Sequence, residues 1–216
     1  MTYTGDIKIC GLSTFEAVDA VIAGGATHAG FIFFKKSPRH LPVALAQQLA
    51  LRANAGGLKT VAVTVDADDD YLDDIVGTMR PDVLQLHGRE TPERVLAIKA
   101  RYGLPVMKAL AISETSDLQK LKPFMGKADR FLLDAKPPKE AVLPGGNAVS
   151  FDWNLVTHLA GKVDYLLAGG LDASNAREAI SIANPPGLDI SSGVESAPGV
   201  KDVAMIAAFL KAARDG

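Results

Sequence analysis

Short, almost wholly apolar runs alternate with longer amphipathic stretches from one end of the chain to the other. The apolar runs are Ile7–Cys10, His28–Phe33, Thr60–Val65, Val83–His87, Val106–Ala111, Arg130–Asp134, Tyr165–Ala168 and Leu188–Ile190. They read as strands. Most lack apolar–polar alternation, as in Val61-Ala62-Val63-Thr64-Val65, which suits strands buried on both faces of a parallel sheet. The stretches between them predict helices over Thr14–Ala23, Val43–Ala53, Tyr71–Met79, Pro92–Arg101, Ser116–Phe124, Trp153–Leu159, Ser174–Ile182 and Val200–Ala213. Ser13 or Thr14 is placed to cap the first helix. Thr91-Pro92-Glu93 supplies a capping hydroxyl, a first-turn proline and an acid in order, and Asp172 is placed to cap the seventh helix.

Eight strands, each followed by a helix, predict an α/β fold: a single-domain (β/α)8 TIM barrel spanning residues 1–216. The rival is an open doubly wound sheet. That fold usually opens on a Gly-rich nucleotide turn, and Lys8-Ile9-Cys10-Gly11-Leu12-Ser13 contains no G-x-G-x-x-G. The one long connection, Ala135 to Ser150, is rich in Pro and Gly and reads as a functional lid.

Composition narrows the function. A chain of 216 residues with 48% apolar and 22% charged residues has the profile of a globular domain. A formal net charge of −2 argues against a nucleic-acid partner. One cysteine cannot form an internal disulfide, so a reducing compartment is expected. Met1-Thr2-Tyr3-Thr4-Gly5-Asp6 lacks the regions of a signal peptide. No run approaches the ~18 apolar residues of a membrane span. The expectation is a cytoplasmic protein with no membrane partner, monomer or homodimer.

Barrels of this kind bind ligands at the C-terminal ends of their strands, and polar residues there carry the candidate chemistry. Cys10 ends the first strand. A lone cysteine is ordinarily a small buried hydrophobe, but Lys8 shares its face, and a lysine charge favours a thiolate able to act as a base. Asp134 ends the sixth strand after a wholly apolar run. Its ordinary role would be a cap or a solvated loop carboxylate, yet burial favours the proton-holding form of a carboxyl. Gly169-Gly170 and Ser191-Ser192-Gly193 follow the seventh and eighth strands. Each could be a plain tight turn. Together they stand where barrels bind phosphate through backbone N–H groups. Arg39, after the second strand, is either a surface charge or a planar fork for a carboxylate. His87 reads as a packed or hydrogen-bonding residue, because no Cys/His/Asp spacing resembles a metal site. The acids at Asp66, Asp68, Asp69, Asp70, Asp73 and Asp74 suit a helix N-terminus better than Mg²⁺.

These motifs, in order, make the chain resemble the phosphoribosylanthranilate isomerases of tryptophan biosynthesis. The resemblance runs essentially end to end. It rests on Lys8-Ile9-Cys10-Gly11, Gly30-Phe31-Ile32-Phe33, Ser37-Pro38-Arg39, Val83-Leu84-Gln85-Leu86-His87-Gly88, Leu132-Leu133-Asp134, Phe151-Asp152-Trp153, Leu167-Ala168-Gly169-Gly170-Leu171 and Asp189-Ile190-Ser191-Ser192-Gly193-Val194-Glu195. One departure stands before Phe151, where Gly145-Gly146-Asn147-Ala148 replaces the Gly-Gly-Thr-Gly often found in the family. The resemblance implies an Amadori rearrangement of a small phosphorylated substrate, with Asp134 as acid and Cys10 as base. It implies that Gly169, Gly170, Ser192 and Gly193 hold the phosphate, with Ser191 nearby. Arg39 would face the anthranilate carboxylate and Asp189 a sugar hydroxyl. It implies no metal and no cofactor, because the imine nitrogen serves as the electron sink. The alternatives are another phosphosugar aldose–ketose isomerase on the same barrel, or a non-catalytic barrel that binds a phosphorylated metabolite.

Overall fold

Eight parallel strands close into a barrel in chain order: β1 (Asp6–Cys10), β2 (His28–Phe33), β3 (Lys59–Thr64), β4 (Val83–Leu86), β5 (Val106–Ile112), β6 (Arg130–Ala135), β7 (Tyr165–Leu167) and β8 (Gly187–Ile190). The α-helices are α1 (Phe15–Ala23), α2 (Val43–Ala55), α3 (Asp69–Met79), α4 (Pro92–Tyr102), α5 (Ala176–Ala183) and α6 (Val203–Arg214). The computed structural model describes residues 2–136, 145 and 150–215. The expected lid falls mostly on the rest of the Ala135–Ser150 connection, and that part, with Gly146, Asn147 and Ala148, lies outside the described residues.

Side-chain alternation along each strand sorts residues into two layers. Ile7 and Ile9 on β1, Phe31 and Phe33 on β2, and Phe131 and Leu133 on β6 point outward into the main core beneath the helices. The opposite parity fills the barrel with two small clusters: Met107, Ala109, Leu132, Leu166 and Ala168, and Cys10, Val61 and Val63. Lys8 and Cys10 therefore share the inner face, as do Leu132 and Asp134.

The seam is closed by pairing of β1 with β8, which sets Lys8 opposite Asp189. The Lys8 ammonium is fully buried and lies 2.7 Å from Asp189 Oδ1. Burial lowers a lysine's pKa, but Asp189 and Cys10 outweigh it and hold Lys8 above its ordinary value. A second buried cation, Lys108, takes the outer parity on β5. Its ammonium donates to the carbonyls of Leu86 and Gly88, at 3.1 and 2.8 Å, and to Glu90 at 2.9 Å. The carbonyls on both sides of His87 are thus held by one group.

Two expected α-helices are 3₁₀ segments instead. Thr115–Phe124 contains Pro123, which has no N–H to donate, and Asp117 ties its start to Ser113 and Glu114. Trp153–Leu159 is only seven residues long, opened by an Asp152 cap. The last helix begins at Val203, because Val200 and Lys201 form a short strand, β10, paired with β9 (Glu195–Ala197). Thr14 and Thr91 cap their helices as expected. Asp172 caps the turn before α5, accepting from the Ser174 and Asn175 N–H groups, and Asn175 takes the cap position of the helix itself.

At the N-terminal end of the barrel, His28 is 4% exposed. Burial, opposed by Asp6 and reinforced by Arg130, lowers its pKa from the ordinary 6.5 to about 4. The unfolded chain therefore binds a proton between these values that the fold does not. Stability supplied by His28 is present above about pH 6.5 and is lost as pH falls toward 4, by up to about 3 kcal/mol. Urea unfolding at pH 7.5, 5.5 and 4 is expected to show this fall, and His28→Gln should flatten it by a similar amount.

Candidate active site

A cavity open to solvent lies at the C-terminal ends of the strands. All nine residues singled out in the sequence line it: Cys10, Arg39, Asp134, Gly169, Gly170, Asp189, Ser191, Ser192 and Gly193. The fold brings them together because each strand-borne residue has inner parity, the loop residues after β7 and β8 lie within three positions of a strand end, and Arg39 stands in the connection six residues past β2.

Cys10 sits beside Gly30 on β2. A side chain at Gly30 would meet Cys10 Sγ at 3.0 Å and Lys8 Cε at 3.1 Å, so a glycine there keeps the thiol and the lysine in place. Burial pushes the thiol pKa up. Lys8 pulls it down, as its position on the same face implies, but Asp189 adds a further push upward. The resting group at neutral pH is thus the thiol. Asp189 also keeps its second oxygen clear of Lys8, which takes only Oδ1.

Asp134 is buried on β6, where Oδ1 accepts the N–H of Ala135 at 2.9 Å. Its Oδ2 lies 3.6 Å from His87 Nε2. On the far side of the imidazole, Gln85 Nε2 is 3.0 Å from Nδ1. Gly145 covers this pair: a Cβ there would come within 2.5 Å of Asp134 Oδ2 and 2.9 Å of His87 Nε2. His87 and Gln85 both line the cavity and were not among the singled-out site residues. The signal was available, since Gln85 and His87 are polar residues two apart at the end of an apolar strand.

The loops after β7 and β8 form a concave cup. Gly169 and Gly170 adopt φ of 89° and 63°, a left-handed conformation that favours glycine. Their N–H groups take no acceptor among the described residues. Asn175 holds the turn by donating to the Gly170 carbonyl at 2.8 Å. A side chain at Gly193 would overlap the Leu171 carbonyl oxygen, so the two loops approach only because glycine stands there. Ser191 donates to the Cys10 carbonyl at 3.1 Å, joining the cup to the end of β1. Free amides at the mouth of a barrel, after its seventh and eighth strands, suit a phosphate.

Arg39 reaches the cavity from the connection after β2. It is 5% exposed and packs its Cδ over Gly11. The site thus holds a thiol, a carboxyl beside an imidazole, an anion cup and a guanidinium around one space. That set can exchange protons with a small anionic molecule.

The chain matches the family described as N-(5'phosphoribosyl)anthranilate (PRA) isomerase over residues 7–212. An N-(5'-phosphoribosyl)anthranilate isomerase from Mesorhizobium japonicum is 61% identical over 97% of this chain and 95% of its own length. The crystal structure of phosphoribosyl anthranilate isomerase from Thermotoga maritima superimposes with a TM-score of 0.87 at 30% identity, covering 97% of this chain and 98% of that one. A further crystal structure of this isomerase, solved in complex with reduced 1-(o-carboxyphenylamino)-1-deoxyribulose 5-phosphate, gives a TM-score of 0.84 at 29% identity over the same shares. With the match running nearly end to end, this chain belongs to the N-(5'-phosphoribosyl)anthranilate isomerase family.

Proposed function

We propose that this protein converts N-(5-phosphoribosyl)anthranilate into 1-(o-carboxyphenylamino)-1-deoxyribulose 5-phosphate, with Asp134 and Cys10 as the proton-transfer groups. The observation that carries the reading is a thiol and a carboxyl lining one cavity, with a glycine-rich cup of backbone amides at its rim. The ligand of the related crystal structure has the anions that such a cavity asks for: a phosphate and a ring carboxylate.

The steps balance without an outside reactant. Asp134 gives its proton to the ring oxygen of the sugar, and the C1′–O bond breaks to leave an iminium. His87, beside Asp134, faces the carboxylate that forms. Cys10 first releases its thiol proton to solvent through the open cavity; the thiolate then takes the proton from C2′, and the electron pair moves to the iminium nitrogen to give an enolamine. Its thiolate form is favoured by the charge of Lys8 and by the iminium itself, against the burial that holds the resting thiol. Return of a proton to C1′ from the thiol, with loss of the 2′-hydroxyl proton to Asp134, gives the ketone, restores the acid and leaves a thiolate that regains its resting proton from solvent. Gly169, Gly170, Ser192 and Gly193, with Ser191, hold the phosphate. Asp189 accepts a sugar hydroxyl through its free oxygen, and Arg39 takes the carboxylate. A reducing, cytoplasmic setting keeps Cys10 a free thiol.

The reading is tested by following loss of anthranilate-derivative fluorescence in purified protein, with the aminoketose product identified by mass. Loss no faster than spontaneous hydrolysis, from folded protein, would sink it. General acid–base groups contribute about 10²–10⁴-fold. Asp134→Asn and Cys10→Ala are each expected to lower kcat by that order while still binding a reduced product analogue, measured by calorimetry. Gly193→Ala should act differently. The methyl group collides with the Leu171 carbonyl, so inorganic phosphate should lose most of its ability to inhibit, and KM should rise.

A further inference from the structure

Two charged residues at the cavity's edge have no part in the scheme above. Glu195 opens β9, and Lys201 closes β10. The Glu195 carboxylate accepts Arg39 Nε at 2.7 Å and Arg39 Nη2 at 2.8 Å. It also accepts Lys201 Nζ at 2.6 Å and the Gly199 N–H at 3.2 Å. Lys201 donates onward to the Ser191 carbonyl at 2.8 Å. The side chains of Arg39, Glu195 and Lys201 are 5%, 4% and 1% exposed. Burial works against the Glu195 carboxylate, but Arg39 and Lys201 outweigh it and hold its pKa below the ordinary glutamate range.

A guanidinium presents its N–H donors in one rigid plane. Glu195 occupies the Nε–Nη2 edge of Arg39. Nη1 takes no acceptor among the described residues, and Arg39 borders the cavity. One carboxylate between two cations leaves a formal excess of one positive charge in a buried cluster. A second carboxylate on the free edge of Arg39 would neutralise it. The same cluster is tied through Lys201 to Ser191, at the start of the phosphate cup.

We propose that Glu195 is a positioning and specificity-determining residue: it fixes the plane of Arg39 so that its free edge selects a carboxylate-bearing aromatic amine. Through Lys201 it also sets the distance between that edge and the phosphate cup. This rests on the isomerase reading above. An Arg39 without Glu195 would swing among rotamers and recognise the carboxylate poorly, while the proton-transfer groups stay in place.

The test compares two substrates, each prepared from ribose 5-phosphate: the anthranilate compound and its aniline counterpart, which lacks the carboxylate. For Glu195→Gln, KM for the anthranilate compound should rise about tenfold or more with kcat little changed. The aniline compound and inhibition by inorganic phosphate should be nearly unaffected. In an Arg39→Met background, Glu195→Gln should cause no further loss of discrimination. Glu195→Asp keeps the charge with a shorter reach. It is the second variant should Glu195→Gln unfold, and an intermediate loss of discrimination is expected. An unchanged ratio between the two substrates in either folded variant, or an equal loss on both, overturns the proposal. A wild-type protein that turns over neither compound overturns the isomerase reading itself. One that turns over both equally removes Arg39 as the carboxylate site, and this proposal with it.

Discussion

The ion pair between Lys8 and Asp189 is the interaction on which the site depends. A lysine with no exposure inside a barrel is tolerable only with a counter-charge in contact, since removing one partner of such a pair costs about 3–5 kcal/mol. Here the counter-charge comes from the last strand of the barrel and the lysine from the first. The pair therefore sits across the closing seam. Above it lies Cys10, and Asp189 forms part of the cavity wall. The seam, the thiol's environment and one cavity-wall carboxylate are set by a single contact.

The pair also explains why the thiol is not a ready-made thiolate. Had Lys8 been unpaired, its charge would have acted on Cys10 alone. Because Asp189 neutralises much of it and contributes a push of its own, burial decides the resting state. In the scheme proposed above, a thiol that yields its proton only beside a cationic intermediate fits proton removal after ring opening. The opposing wall is built differently. Asp134 has an imidazole at its free oxygen, and the backbone around that imidazole is pinned by Lys108 from the outer layer.

Much of this could be read before any coordinates. The strands were visible because their runs are apolar on both faces, and period-two spacing placed Lys8 with Cys10 and Leu132 with Asp134. Their ends located the cavity. What escaped depends on contacts between residues far apart in the chain. Glu195 and Arg39 are separated by 156 positions, and although Glu195 ends the motif after the eighth strand, nothing in that motif points to Arg39 as its partner. Val200 and Lys201 stand between the Pro198-Gly199 turn and the amphipathic stretch from Val203 and so resembled the start of the last helix, when they form a hairpin strand. The two 3₁₀ segments have helix-like spacing, and only Pro123 and the brevity of Trp153–Leu159 argue against a full α-turn. Lys8 was read for its effect on the thiol, whereas its closest partner lies on the other side of the seam.

The position of the seam has a bearing on how the molecule is made. Lys8 and Asp189 are 181 residues apart, and β8 is the last barrel strand along the chain. During synthesis the first strand leaves the ribosome long before its counter-ion exists. Until Gly187–Ile190 has been translated and inserted, the lysine cannot be buried, and the thiol beside it stands at an open edge. A chain cut short before that strand would lack the β1–β8 pairing that closes the barrel and the residues after β8 that line the cavity. Completion of the cavity wall is thus tied to completion of the polypeptide.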